Sequence, residues 1–287
     1  MAIDYDTLLN WSFDEIVQSY TERDTMLYAL GLGLGSNASD DDELRFVYEA
    51  QLQTFPTMAV VLGHPGPWMT HPRAGVNMLK VLHAEQHLQI HEPLPVAATI
   101  RAENKVLEVI DKGADKGALI ITERKLYDQD TALCYCTQRS TAFARGDGGF
   151  GGPVTASAKA PALPDRAPDF SIDIPVSPQA ALLYRLSGDY NPLHADPKVA
   201  VQAGFDRPIL HGLATYGVAA RALVSALNIT NPAALTSFGA RFSAPVYPGE
   251  TIRTLIWEEG SEICFRCYCL ERDVVILNNG SATLDTS

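Results

Sequence analysis

No apolar run in this 287-residue sequence approaches the roughly 18 residues a membrane-spanning helix requires. A bilayer partner is therefore not expected. There is no run of Lys or Arg either: 22 basic residues face 34 acidic ones, for a net charge of −12. That balance argues against a nucleic-acid binder, which needs a basic patch or stripe. An anionic ligand would have to be met locally, by a few basic side chains or by helix N-termini. Cysteine is sparse: Cys134, Cys136, Cys264, Cys267 and Cys269, all in stretches of β-like composition. An odd, low count without a disulfide-like spread suits a reducing compartment. The opening MAIDYDTLLNW lacks a signal-peptide pattern, and the closing Leu-Asp-Thr-Ser is not a peroxisomal tripeptide. A cytoplasmic location is expected, or a peroxisomal one in a eukaryote.

What is present is an ordinary globular composition, 46% apolar and 20% charged, with enough apolar residues for a sizeable core. Glycine and proline concentrate at 145–168: Gly146, Gly148, Gly149, Gly151, Gly152, Pro153, Pro161, Pro164 and Pro168. Such a stretch defeats helix and strand alike, so a linker is expected over 146–170, between units 1–145 and 171–287. Leu27-Tyr28-Ala29-Leu30-Gly31 is echoed by Leu183-Tyr184-Arg185-Leu186-Ser187-Gly188, which suggests an old duplication.

In the second half, Ser177-Pro178 reads as a helix start and Gly188 as its end. A short helix is expected from Asp196-Pro197 to Gly204. A longer one, about Leu210 to Leu227, is apolar on nearly every face and therefore buried. Strand patterns occur at Thr251–Trp257, Glu262–Leu270, Val81–His91, Val96–Val109 and Ala118–Tyr127. A buried helix with a sheet around it, twice over, is an α+β arrangement.

The chemistry is concentrated in Ser187-Gly188-Asp189-Tyr190-Asn191-Pro192-Leu193-His194-Ala195-Asp196. Asn191 precedes a proline and is pushed away from helical geometry, so the turn is fixed. It presents a carboxylate, an amide and an imidazole within six residues. A carboxylate and a histidine side by side can hold a water, remove its proton and return one to carbon. Asn191 can orient the water or its partners. The same residues also make a common helix-joining turn, and on spacing alone the two readings balance. Asp189, Asn191, His194 and Asp196 could ligate a metal, yet no second cluster at metal-like spacing completes them, so no metal is expected. The adjoining Pro208-Ile209-Leu210-His211-Gly212-Leu213 opens the long helix. Gly212 would bring a backbone N–H to a helix N-terminus, where such donors stabilise negative charge growing on a thioester oxygen. Close helix–sheet packing is the plainer explanation of that glycine taken alone.

With Gly204-Phe205 and Pro208-Ile209-Leu210-His211-Gly212, the turn resembles the motif of MaoC-like, type 2 (R-specific) 2-enoyl-CoA hydratases. Val81-Leu82-His83-Ala84-Glu85-Gln86, Asp111-Lys112-Gly113, Gly148-Gly149-Phe150-Gly151-Gly152, Ala240-Arg241-Phe242 and Tyr247-Pro248-Gly249 extend the similarity to the hydratase part of peroxisomal multifunctional enzyme type 2. The resemblance implies a double hotdog, each unit a sheet around a long helix. It implies an N-terminal unit that has lost the catalytic turn and accommodates the acyl chain. Here Leu30-Gly31 is indeed followed by Gly-rich, acidic sequence instead of Asp-x-Asn-Pro-x-His. By the same resemblance Asp189 and His194 are the dyad, Asn191 supports them, and the Gly212 N–H faces the thioester oxygen. His83, Ala84, Lys112, Tyr190, Pro192, Leu193 and Phe242 would line the CoA–acyl site, with Ala84 standing where close members often have Gly. The implied reaction is reversible hydration of a trans-2-enoyl-CoA to a (3R)-3-hydroxyacyl-CoA, without cofactor, in a homodimer whose partner is the acyl-CoA. A hotdog thioesterase and a non-catalytic acyl-CoA binder are the alternatives.

Three other patterns carry less. His83, His87 and His91 recur every four residues, but in strand-like sequence they are expected to share one face of a strand. Cys264-x-x-Cys267 has redox spacing inside a strand and is read as packing. Gly31-x-Gly33-x-Gly35 follows no strand and does not suit a dinucleotide.

Overall fold

A computed structural model of the chain describes residues 3–37, 39–154 and 163–285. Each half contributes five strands. The first half supplies β1 (Ile16–Tyr20), β2 (Val81–Ile90), β3 (Ala98–Asp111), β4 (Ala118–Asp128) and β5 (Cys134–Ala144). The second supplies β6 (Phe170–Pro175), β7 (Leu235–Phe242), β8 (Thr251–Glu259), β9 (Glu262–Cys269) and β10 (Val274–Leu284). They form one sheet in the order β1-β3-β4-β5-β2-β7-β10-β9-β8-β6. Read inward from either edge, each half runs first, third, fourth, fifth, second. One crossover pattern used twice is what a duplication leaves. The halves meet at β2 and β7, with Glu85 opposite Arg241 and Gln89 opposite Ser237. The five strands singled out from sequence are all present, with ends shifted by no more than two residues.

The helices are α1 (Tyr5–Leu9), α2 (Glu22–Gly31), α3 (Asp41–Leu44), α4 (Ala180–Tyr184), α5 (Pro197–Gln202) and α6 (Gly212–Ala226). The expected start at Ser177 is a turn instead: the Ser177 hydroxyl accepts from the Gln179 N–H at 3.2 Å, and α4 begins at Ala180. The segment then tightens into a 3₁₀ turn, Arg185–Ser187, which ends on Gly188 at φ 121°. Only glycine adopts that backbone without strain. Asp196 caps α5 by accepting from the Lys198 N–H.

Helix α6 is apolar on nearly every face, and both halves bury it. Every residue from Ala214 to Val224 is buried. Its Gly217 lets the first half come close: a Cβ there would stand 2.5 Å from a Leu32 methyl. Arg221 of α6 reaches the same half, pairing with the Glu43 carboxylate at 2.8 Å and donating to the Leu32 carbonyl at 3.2 Å. The echoed tyrosines also meet, the Tyr28 and Tyr184 rings lying 5.7 Å apart inside one continuous core.

The double hotdog arrangement holds with one correction. A long helix was expected in each half, and among the described residues only the second half has one. In the corresponding place, between α2 and β2, the first half has the 3₁₀ segment Pro56–Val61. Pro65, Gly66, Pro67, Pro72 and Gly75 follow and allow only further short 3₁₀ pieces before β2. The Gly-rich stretch at 146–153 is a built loop of the first half. The Asp111 carboxylate at the end of β3 accepts from the N–H groups of Gly113, Gly149 and Gly151 at 2.7–2.8 Å. The Asp111 N–H in turn donates to the Pro153 carbonyl at 2.9 Å. Pro161, one of the expected linker prolines, lies outside the described residues.

Candidate active site

The turn 188–196 is held by its own polar atoms. The Asp189 carboxylate accepts from the Asn191 N–H at 3.1 Å, and the Asn191 side chain accepts from the Leu193 N–H at 3.1 Å. Pro192 opens the 3₁₀ turn Pro192–His194 that Asn191 caps. This places His194 inward, 8% exposed, while Asp189 remains open to the cavity.

Two histidines take their tautomers from backbone carbonyls. His194 Nδ1 lies 2.9 Å from the Ile209 carbonyl. A carbonyl only accepts, so Nδ1 carries the proton and Nε2 keeps its lone pair. By the same argument His211 Nε2, 3.1 Å from the Asp189 carbonyl, carries the proton. The two rings stack, with centroids 3.7 Å apart and planes 27° from parallel. Burial pushes the pKa of His194 down, opposed by the Ile209 carbonyl and the Asp189 charge. Burial and the neighbouring His194 push His211 down as well. In both, burial favours the neutral imidazole.

Asp189, His194 and His211 bring their carboxylate and ring-nitrogen atoms within 4.8 Å of one another, the one such triad among the described residues. Stacking argues against a metal there. Lone pairs of near-parallel rings lie in near-parallel planes and do not converge on one ion. What the group suits is a small molecule carrying protons.

Helix α6 begins beside this turn. His211 is its N-cap, and Gly212 is its first residue, with an N–H that has no carbonyl one turn earlier. A Cβ on Gly212 would stand 3.3 Å from the Phe242 ring of β7, so the glycine also serves close packing. The Phe242 ring packs on His83 of β2 at 4.7 Å. Gly212, Phe242 and His83 thus join the two halves at the head of α6.

A cavity of about 400 Å³ runs from this point into the first half. Ser187, Gly188, Asp189, Asn191 and Leu213 line it from the second half. Its first-half wall is apolar at Phe13, Val60, Trp68, Met69, Ile120 and Ala142, and polar at His64, His83, Gln86, Asn104, Arg124 and Ser140. His83 sits 3.1 Å from the Glu85 carbonyl and 3.2 Å from the Ser140 hydroxyl, which donates to Gln86. Burial lowers the His83 pKa to about 4, against the Glu85 carbonyl, Gln86 and the Asp189 charge. Arg124 donates to the Val60 and Leu62 carbonyls at 3.3 and 2.7 Å and to the Asn104 side chain at 3.2 Å. Burial draws its pKa to about 10.

Ala84 occupies a bulge: His83 faces Ala142 and Glu85 faces Thr141, leaving Ala84 unpaired. The bulge corrects the expectation that His83, His87 and His91 share a face. His83 turns to the cavity with Gln86, and His87 turns away toward Gly239. Tyr190 lies 57% exposed with the Arg185 guanidinium 4.9 Å above its ring, and Leu193 is half-buried. Lys112 follows β3, with its N–H on the Gly117 carbonyl at 2.9 Å. Ala84, Lys112, Tyr190, Pro192, Leu193, His194, Gly212 and Phe242 are not on the cavity wall itself. Cys264 and Cys267, three apart on β9, point to opposite faces, with Cys267 buried.

Sequence reasoning missed Arg124, Gln86, Ser140 and the role of the His211 ring. A signal existed for the first. Glu123-Arg124-Lys125 puts three charges in succession on a strand, and alternation forces one of them inward.

Two family models match this chain: a "MaoC like domain" over residues 159–279 and an "MFE-2 hydratase 2 N-terminal domain" over residues 18–146. Enoyl-CoA hydratase ChsH3 of Mycobacterium tuberculosis is 39% identical, with 98% of both chains covered. The 3-hydroxyacyl-thioester dehydratase Y of the same organism is 41% identical, with 90% of this chain and 88% of that one covered. Among solved structures, a MaoC-like dehydratase from Phytophthora capsici superposes with a TM-score of 0.85 at 34% identity, over 98% and 99% of the two chains. With its halves matched by the two models and its whole length by these relatives, the chain belongs to the MaoC-like, type 2 enoyl-CoA hydratase family.

Proposed function

We propose that the chain hydrates trans-2-enoyl-CoA thioesters to (3R)-3-hydroxyacyl-CoA, reversibly, using Asp189 and His194 as the acid–base pair. The observation that carries this reading is the convergence, within 4.8 Å, of the Asp189 carboxylate, which lines the cavity, and the buried His194 imidazole beside it. The ring's Nδ1 is tied to the Ile209 carbonyl, so its Nε2 is the free acceptor. Two acceptors hold a water by both of its hydrogens and leave an oxygen lone pair for C3 of the enoyl chain. As the C–O bond forms, the pair takes one water proton, and the electron pair of the double bond moves through C2 toward the thioester oxygen. The Gly212 N–H stabilises that oxygen. The same pair then delivers the proton to C2. Oxygen and hydrogen arrive from one face, so addition is syn. Asn191 holds the turn, and no cofactor takes part.

The polar and apolar first-half wall places the acyl chain, with His83 and Phe242 flanking the thioester end. Ala84, Tyr190, Pro192 and Leu193 shape the approach, and Lys112 meets a phosphate of CoA. The apolar side chains of that wall, among them Phe13, Trp68, Met69 and Ile120, support medium or longer acyl chains. The chain works as a homodimer; exposed Leu30 of α2 and Leu182 of α4, 44% and 53% accessible, offer apolar surface for it. Light scattering checks this. Crotonyl-CoA and decenoyl-CoA test the activity. Loss of enoyl absorbance without free thiol, with (3R) product by chiral analysis, is expected. Release of free CoA would favour a thioesterase instead.

A further inference from the structure

We propose that His211 is a positioning residue that fixes both members of the Asp189–His194 pair. The inference rests on the reading that those two residues move the protons. One buried imidazole touches both, through different parts of the ring. Its face supports the His194 ring at 3.7 Å, and its Nε2–H holds the Asp189 carbonyl at 3.1 Å.

The arrangement is not explained by packing alone. His211 is 1% exposed and also packs on the Tyr184 ring at 5.0 Å, a place an apolar side chain would fill at less cost. Its Nδ1 is buried without a hydrogen-bond partner among the described residues. A polar ring kept there at that cost points to the work of its N–H. The residue it holds sits where a fixed carbonyl matters. Asp189 follows Gly188 and precedes the Asn191-Pro192 turn, so the tie to His211 anchors the backbone from which the carboxylate projects. His194 is held at Nδ1 by the Ile209 carbonyl, and stacking on His211 sets the plane in which its Nε2 points. His211 also caps α6, so the pair is referred to the helix that carries Gly212.

Two variants separate the contacts. His211→Phe keeps a ring face and removes the donor; His211→Gln offers an N–H and removes the face. With crotonyl-CoA, each is expected to lower kcat about tenfold or more while KM stays within about threefold. Thermal unfolding reports the folded fraction, and Asp189→Asn is assayed beside them. Values of kcat within twofold of the unaltered enzyme in both variants, with Asp189→Asn inactive, overturn this inference alone. So does a loss of kcat no larger than the loss of folded protein. Near-normal turnover by Asp189→Asn overturns the functional reading and this inference with it. Nitrogen-15 NMR of the unaltered enzyme needs no variant to fold. Near pH 7.5 it is expected to show His211 neutral with its proton on Nε2, and an Nδ1–H tautomer overturns the proposal.

Discussion

The two halves of this chain share one strand order and differ in what lies between their first and second strands. In the second half that interval holds a polar turn and the fifteen-residue helix α6. In the first half it holds the 3₁₀ segment Pro56–Val61 and a long irregular stretch before β2. The twin tyrosines show the divergence at single-residue scale. Tyr28 donates to the Thr57 hydroxyl at 2.9 Å, a closed structural bond. Tyr184 packs on His211, which reaches on to Asp189. On the function proposed above, one frame serves as the reaction centre and the other as the container.

The strongest way to break this division is to remove the dyad. Asp189→Asn and His194→Gln are each expected to lower turnover on crotonyl-CoA by about 10²–10⁴-fold, the usual worth of a positioned acid or base. Circular dichroism should stay unchanged. The matched change in the first half is Asp40→Asn. Asp40 caps α3, accepting from the Asp42 and Glu43 N–H groups at 3.1 and 3.3 Å, and asparagine can do the same. Its turnover is expected to stay within about twofold of the unaltered enzyme, since the effect on the fold is a few tenths of a kcal/mol at most. A comparable loss in both halves would end the distinction.

Removing the cation that braces the container comes next. Arg124→Met leaves the Val60 and Leu62 carbonyls without their donor. Stranding buried acceptors costs about 1–3 kcal/mol each, so a destabilisation of about 2–4 kcal/mol is expected in urea unfolding. A smaller effect follows from narrowing the container without touching the dyad. Ala142 lines the cavity from β5, opposite His83 of β2. Ala142→Phe is expected to cut kcat/KM for decenoyl-CoA about tenfold or more while crotonyl-CoA loses much less, in keeping with about 1–3 kcal/mol per methylene of pocket fit. Equal losses on both substrates would show that the cavity wall does not sort acyl chains.

Legibility followed physical rules in each half. The 188–196 turn was readable because Gly188, Asn191-Pro192 and Asp196-Pro197 each restrict the backbone locally, and the structure places all three at element ends. Helix α6 was readable because apolar residues on every face demand burial on every face. Its first two expected residues were not helical, since His211 serves as cap and its ring is engaged elsewhere. Strand β5 was not singled out because Gln138 and Ser140 face a polar cavity, and alternation fails where the inner face is itself polar. The direction of His83 was beyond reach for a related reason. A single unpaired residue at Ala84 reverses the faces that follow, and nothing local in the sequence marks a bulge without glycine. The missing first-half helix was visible only in part, through the prolines that forbid it.

The smallest expected effect asks whether both halves store their histidines neutral. Burial lowers the pKa of His83 to about 4 in the first half and lowers those of His194 and His211 in the second. In the unfolded chain these imidazoles titrate near 6.5. Below about pH 6.5 the unfolded chain therefore takes up protons that the folded chain refuses, and stability falls as pH drops from there toward 4. Above that range the same groups contribute no slope. Asp111, whose pKa is lowered by the Gly149, Gly113 and Gly151 N–H groups, contributes stability that is lost as pH falls below about 4, so it does not mask the window. Melting temperature against pH is expected to be level from 8 to 6.5 and to decline from 6.5 to 4.5. His83→Gln is expected to flatten part of that decline from the first half, and His211→Gln part of it from the second. If all three proteins show one slope, the buried imidazoles do not set it, and the symmetry of the two halves in this respect is lost.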